Sequence, residues 1–83
     1  MSRELDKADQ ELKRRIALRF IELREESGQS QTEFAHTWTD KQNQHRLENG
    51  RGATIYSINR FCKAKDITLS QFFDSPLFKE GKK

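Results

Sequence analysis

The sequence predicts an all-α protein of five helices, the first of them long. Three observations carry that prediction. Apolar residues recur three and four positions apart along the first segment and again in later ones, the spacing of one face of an α-helix. Ser30, Asp40, Thr54 and Thr68 each stand just before a helical segment, where a side-chain oxygen can accept from the open first turn. No segment alternates at period two with β-branched residues, as a half-buried strand would.

The first helix is expected over residues 4–27, with Leu12, Ile16, Phe20 and Leu23 as its buried stripe. Leu18 and Ile21 lie off that stripe and call for another partner, either the C-terminal segment or a second subunit. Gly28 follows as a left-handed stop. Ser30 then caps a second helix, and Glu33 three residues on completes the spacing of a capping box. Phe34, Ala35 and Trp38 form the buried side of that helix. Thr39 and Asp40 make a short turn, and Asp40 caps a third helix from Lys41 to about Asn49, which Gly50-Arg51-Gly52 breaks. A fourth helix after Thr54 buries Ile55, Ile58, Phe61 and Cys62. Thr68 caps a short fifth helix carrying Leu69, Phe72 and Phe73, and Ser75-Pro76 ends it.

With 83 residues the chain reads as one domain, 1–83, with a core over about 12–74 and a flexible basic tail at 79–83. Hydrophobic residues make up 33% and charged residues 35%, a polar balance in which disorder has to be weighed. The net charge is only +3 and the apolar spacing is regular, so the chain is expected to fold. Residues 1–29 carry seven basic and seven acidic groups, while 53–83 carry six and three. That tilt is compatible with a polyanionic partner, and equally with an ordinary soluble protein. Cys62 is the single cysteine, so no internal disulfide can form. Residues 1–10 are charged and no run reaches membrane-spanning length, so the expected location is cytoplasmic, with no membrane partner.

Two short helices joined by a tight turn, after a longer helix, form the arrangement that sets a recognition helix in the major groove of DNA. The small residue needed where the two helices cross is Ala35. Phe34, Trp38 and Leu47 can lock the pair together. Lys41, Gln42, Asn43, His45 and Arg46 then put hydrogen-bonding groups on the outer face of the second helix.

On these residues the chain resembles the Cro/repressor-type (XRE-like, lambda-repressor-like) helix-turn-helix family. The resemblance runs from about Ile16 to Phe73. It rests on Leu23-Arg24-Glu25-Glu26, Gly28-Gln29-Ser30-Gln31-Thr32-Glu33-Phe34-Ala35, Arg46-Leu47-Glu48-Asn49-Gly50 and Ile67-Thr68-Leu69-Ser70-Gln71-Phe72-Phe73. It implies a five-helix lambda-repressor-like domain, here with an extended N-terminal helix. The implied function is that of a transcriptional regulator reading double-stranded DNA, as a homodimeric repressor on an inverted repeat. Lys41, Gln42, His45 and Arg46 would contact bases. Gln31, Asn43, Asn49 and Arg51 would contact the DNA backbone, and Arg24 and Glu48 would form an internal ion pair. The sequence departs from the family in three places. The turn is one residue shorter, Gln44 stands where isoleucine or valine faces the core, and Lys65 stands where leucine closes the fourth helix. A buried amide costs about 1–3 kcal/mol without a partner, so Gln44 points to a rotated or tilted recognition helix.

Plainer readings of the same residues stand beside this one. Lys41, Gln42, His45 and Arg46 are also what any solvated helix face carries. His36, His45, Cys62 and Asp40 lack the spacing of metal ligands, and Cys62 on an apolar face acts as a small hydrophobe. Trp38, in register with Phe34, belongs to the core ahead of any stacking on bases. Phe72, Phe73 and Phe78 form an apolar cluster that either packs inside the domain or makes a dimer surface. With no phosphate loop, nucleophile triad or carboxylate cluster, no enzyme, cofactor or small-molecule substrate is expected. The rival function is a protein-interaction module on the same fold with DNA binding lost or minor, motivated by the short turn and Gln44.

Overall fold

A computed structural model describes residues 7–79 of the chain. The residues expected to begin the first helix before Lys7, and the basic tail beyond Lys79, lie outside the described residues. The elements in order are α1 (Lys7–Ser27), α2 (Gln31–His36), α3 (Lys41–Glu48), α4 (Ile55–Lys65), α5 (Leu69–Phe72) and a closing 3-10 turn (Pro76–Phe78). No strand occurs among the described residues, and none of their helices is long and apolar enough to cross a membrane.

Local chemistry sets the helix ends. Gly28, at φ +76°, takes the left-handed conformation that stops α1, and its N–H donates to the Glu25 carbonyl at 3.1 Å. The Ser30 hydroxyl accepts from the Glu33 N–H at 3.2 Å while the Glu33 carboxylate accepts from the Ser30 N–H at 3.0 Å, the reciprocal pair the spacing predicts. Asp40 caps α3 by accepting from the Asn43 N–H at 2.8 Å. Thr54 with Ser57 and Thr68 with Gln71 close the same kind of box on α4 and α5.

The core is aromatic. Phe20, Phe34, Leu47, Ile58, Phe61, Cys62 and Phe72 form one buried cluster drawn from all five helices. Phe61 is its hub: its ring centre lies 4.9 Å from Phe20, 5.1 Å from Trp38, 5.7 Å from Phe34 and 5.9 Å from Phe72. Three of these four contacts are edge-to-face, the arrangement that ring quadrupoles favour. Trp38 therefore packs on the core, and burial pushes the Cys62 thiol up from its usual range.

Two charged residues tie the helices together where the sequence offered no hint. Arg19 is buried. Its Nε donates to the Phe72 carbonyl at 2.6 Å, Nη2 to the Gln71 carbonyl at 2.9 Å and Nη1 to Glu22 at 2.6 Å. The guanidinium so satisfies the Phe72 carbonyl at the end of α5 and shares the Gln71 carbonyl with the Asp74 N–H. Glu22 also accepts from the buried Ser75 hydroxyl at 3.1 Å. Lys65 donates its ammonium to the Phe34 carbonyl at 2.6 Å and to the Thr37 hydroxyl at 2.7 Å, 3.9 Å above the Phe34 ring centre. It closes the C-terminus of α2 in place of the expected apolar contact. Burial holds its pKa below that of an ordinary lysine.

The structure corrects the expected core at three points. Leu12 is 47% exposed, because α1 runs past the core there and meets only the 50–53 loop. Ile55 is 52% exposed, since the inward face of α4 begins at Ile58. The core also extends beyond residue 74. Ser75 caps the 3-10 turn, which packs on α1, and Phe78 stacks 5.0 Å from Phe73. The cluster of Phe72, Phe73 and Phe78 thus packs on itself within the domain, with Phe73 and Phe78 half-buried.

Phe61→Ala should cost about 3–5 kcal/mol of stability, whereas Ile55→Ala should stay within about 0.5 kcal/mol. Urea denaturation followed by the fluorescence of Trp38 measures both, and comparable losses would contradict a core centred on Phe61.

Candidate nucleic-acid interface

Seven of the eight residues of α3 divide into two faces, with Asn43 half-buried between them. Gln44, Leu47 and Glu48 point inward and are buried, while Lys41, Gln42, His45 and Arg46 are exposed. That division follows from the helical period, which stacks positions three and four apart on one side.

The inward face is held by one carboxylate. Glu48 Oε2 accepts from Arg24 Nε at 2.7 Å and from Gln44 Nε2 at 2.8 Å. Its Oε1 accepts from Gln31 Nε2 at 2.9 Å and from Arg24 Nη2 at 3.1 Å. Four donors from α1, α2 and α3 so converge on a side chain only 4% exposed. Burial pushes the Glu48 pKa up, but the bonds from Arg24, Gln31 and Gln44 and the charge of Arg24 outweigh it. The group sits below its ordinary value of 4.5. The hydrogen bond with Glu48 in turn raises Arg24. The ion pair of Arg24 and Glu48 expected from the sequence is present, as a two-pronged contact.

Gln44 faces the core fully buried and needs no rotation of α3 to satisfy it. Its Oε1 accepts from the indole Nε1 of Trp38 at 3.0 Å while its amide nitrogen binds Glu48. The turn is also longer than the sequence indicates. α2 ends at His36, so residues 37–40 connect the two helices and Trp38 belongs to the connection. The N–H groups of Trp38 and Thr39 donate to the Ala35 carbonyl at 2.8 and 2.7 Å, and Ala35 is fully buried beneath them.

On the outer face, Lys41, Gln42, His45 and Arg46 line one shallow, open depression, and the exposed Asp40 that caps α3 stands just before Lys41. The expected flanking residues fall into two groups. Asn49 and Arg51 are exposed at the C-terminal end of α3, where Asn49 Nδ2 donates to the His45 carbonyl at 2.7 Å. Asn43 and Gln31 are half-buried with internal partners: Asn43 Nδ2 donates to Thr39 at 2.9 Å, and Gln31 to Glu48. The Gln31 amide nitrogen is thus committed to the protein, a role its position alone did not reveal. Gly50, at φ +82°, turns the chain out of α3, and the Arg51 N–H returns to the Arg46 carbonyl at 2.8 Å.

The arrangement sets two cations, an amide and an imidazole on a rigid surface whose orientation is fixed from behind. Among the described residues no three of His, Cys, Asp and Glu gather as a metal site would require. No protein-family model, curated protein or solved structure matches the chain.

Glu48→Gln should destabilise the protein by about 3–5 kcal/mol near neutral pH, the usual cost of breaking a buried pair. Because the folded pKa of Glu48 is depressed, its contribution is complete above its ordinary value of 4.5 and is lost as pH falls through the folded value. The stability gap between wild type and variant should therefore narrow on acidification below that pH. A gap independent of pH would mean that the charge of Glu48 is not what stabilises.

Proposed function

We propose that this protein is a sequence-specific double-stranded DNA-binding regulator of transcription, built as a lambda-repressor-like helix-turn-helix domain with α3 as its recognition helix. The observation that carries the reading is the outer face of α3. Lys41, Gln42, His45 and Arg46 stand together on it, exposed and lining one depression. Their backs are pinned to α1 and α2 through Glu48. Arg and Lys pair with the acceptor edge of guanine and Gln with the donor–acceptor edge of adenine, so this is a set suited to the major groove. A helix that reads bases must also be held still, since misplaced donors lose their bonds. Asn49 and Arg51, exposed beside α3, are placed to touch phosphates.

The reading includes a homodimer on a two-fold site, with half-sites about 34–36 Å apart. The rival, an interaction module with DNA binding lost, drew on Gln44 and a short turn. Gln44 has both partners it needs, which removes the first of these grounds.

Selection from a random double-stranded DNA pool at about physiological ionic strength, where weak contacts are screened, should enrich an inverted repeat. Arg46→Ala should then lose about 1–3 kcal/mol on the selected site, with a smaller loss on random duplex. Equal losses on both would make Arg46 a phosphate contact. Folded protein that enriches no sequence would overturn the regulator reading in favour of the interaction module.

A further inference from the structure

We propose that the first half of α1 carries an additional, sequence-independent phosphate contact, formed by Lys13 and Arg14 across a cleft from the 49–53 loop. The proposal rests on the DNA-binding reading of α3 and extends its footprint to a helix outside the recognition element.

The geometry begins at Gly50. A cleft separates α1 from the end of α3, with Lys13, Arg14 and Ala17 on one wall and Glu48, Asn49 and Gly50 on the other. Lys13 also borders a neighbouring groove whose far wall is Gly50, Arg51, Gly52 and Ala53. Its stem lies over Gly50, where a β-carbon would stand 3.8 Å from both its Cγ and its Cε. Two residues on, the Arg46 guanidinium covers Gly52 in the same way, with Nη2 3.5 Å from where a β-carbon would be. The α-carbons of Gly50 and Gly52 can lie at most about 7 Å apart across two peptide units. One short loop therefore carries a lysine on one side, an arginine on the other and the exposed Arg51 between them.

Charge is not cancelled in this region. The nearby Glu48 is already saturated by Arg24, Gln31 and Gln44. Glu11 lies 3.5 Å from Arg14, but that pair is exposed, and exposed pairs hold only weakly against water and salt. A phosphate can displace such a carboxylate at little cost. Asp9 borders the second groove, where Lys13 and Arg51 outnumber it.

Position supplies the rest. An α-helix with its side chains is about 10–12 Å across, and the major groove is about 12 Å wide. With α3 in the groove, whatever flanks α3 meets the sugar–phosphate wall. The 49–53 loop flanks α3 directly, and Lys13 rests on that loop.

The test is a salt titration of binding to a random-sequence duplex of about two helical turns, over about 50–200 mM salt. Wild type is compared with Lys13→Gln/Arg14→Gln and with the charge-matched control Lys63→Gln/Lys79→Gln, circular dichroism confirming that each is folded. All four substituted side chains are exposed, so the fold is kept. The α1 variant should lower the slope of log affinity against log salt by about 2, roughly one unit per lost phosphate contact. It should weaken random and selected duplexes by the same factor, while the control keeps the wild-type slope. A wild type that binds but an α1 variant that matches the control would overturn this contact and leave the α3 reading intact. A wild type that binds no duplex at all would remove both.

Discussion

The carboxylate of Glu48 is the constraint around which the domain is arranged. A buried charge is costly, and it is tolerated only when its lone pairs are matched by donors in good geometry. Here the donors come from three helices: Arg24 from α1, Gln31 from α2 and Gln44 from α3 itself. Because each donor has a fixed reach, the carboxylate acts as a ruler that sets the three helices at one separation and one rotation. Gln44 carries the chain of bonds on to the Trp38 indole, so the connection between α2 and α3 is tied to the same point. The outer face of α3 takes its orientation from this arrangement.

A second set of polar contacts does for the C-terminal segment what Glu48 does for the centre. Arg19 and Glu22 on one turn of α1 hold the last carbonyls of α5 and the hydroxyl of Ser75. The aromatic core lies between the two sets, with Phe20 and Phe72 buried in edge-to-face contact. Hydrophobic burial supplies most of the driving force for such a fold but is non-directional. The two polar clamps add the direction, one fixing α3 and the other the segment that follows α4.

Much of this was legible in the residues because it is local. Cap residues and the glycine stop act within four positions of one another, so Ser30, Asp40, Thr54, Thr68 and Gly28 mark the helix ends unaided. The pairing of Arg24 with Glu48, 24 residues apart, was reached only through a family resemblance. What stayed hidden depends on tertiary geometry. Nothing in the order of residues says that Arg19 meets a carbonyl 53 positions later, or that Lys65 closes α2 over the Phe34 ring. Helical periodicity also assigns Leu12 and Ile55 to buried faces, because it records the face of a helix and not where along its length the core begins. On the outer face of α3 the exposed set was read correctly as exposed, while Gln31 and Asn43 turned out to have internal partners that only the packed structure supplies.

The clamp at Arg19 has a consequence for how the molecule opens. It closes a loop of 53 residues, and the entropy cost of closing a long loop grows only slowly with its length. The contacts between α2 and α3, by contrast, join neighbours in the chain. Residues 69–78 are nevertheless held at two levels, by the bonds of Arg19 and Glu22 from α1 and by Phe72, which is buried against Phe20 and Phe61. Releasing the segment would withdraw Phe72 from that cluster, so its opening is coupled to opening of the core itself. The clamp at Arg19 thus works as a fastener on the hydrophobic centre, joining the segment around Phe72 to α1 across 53 positions of sequence.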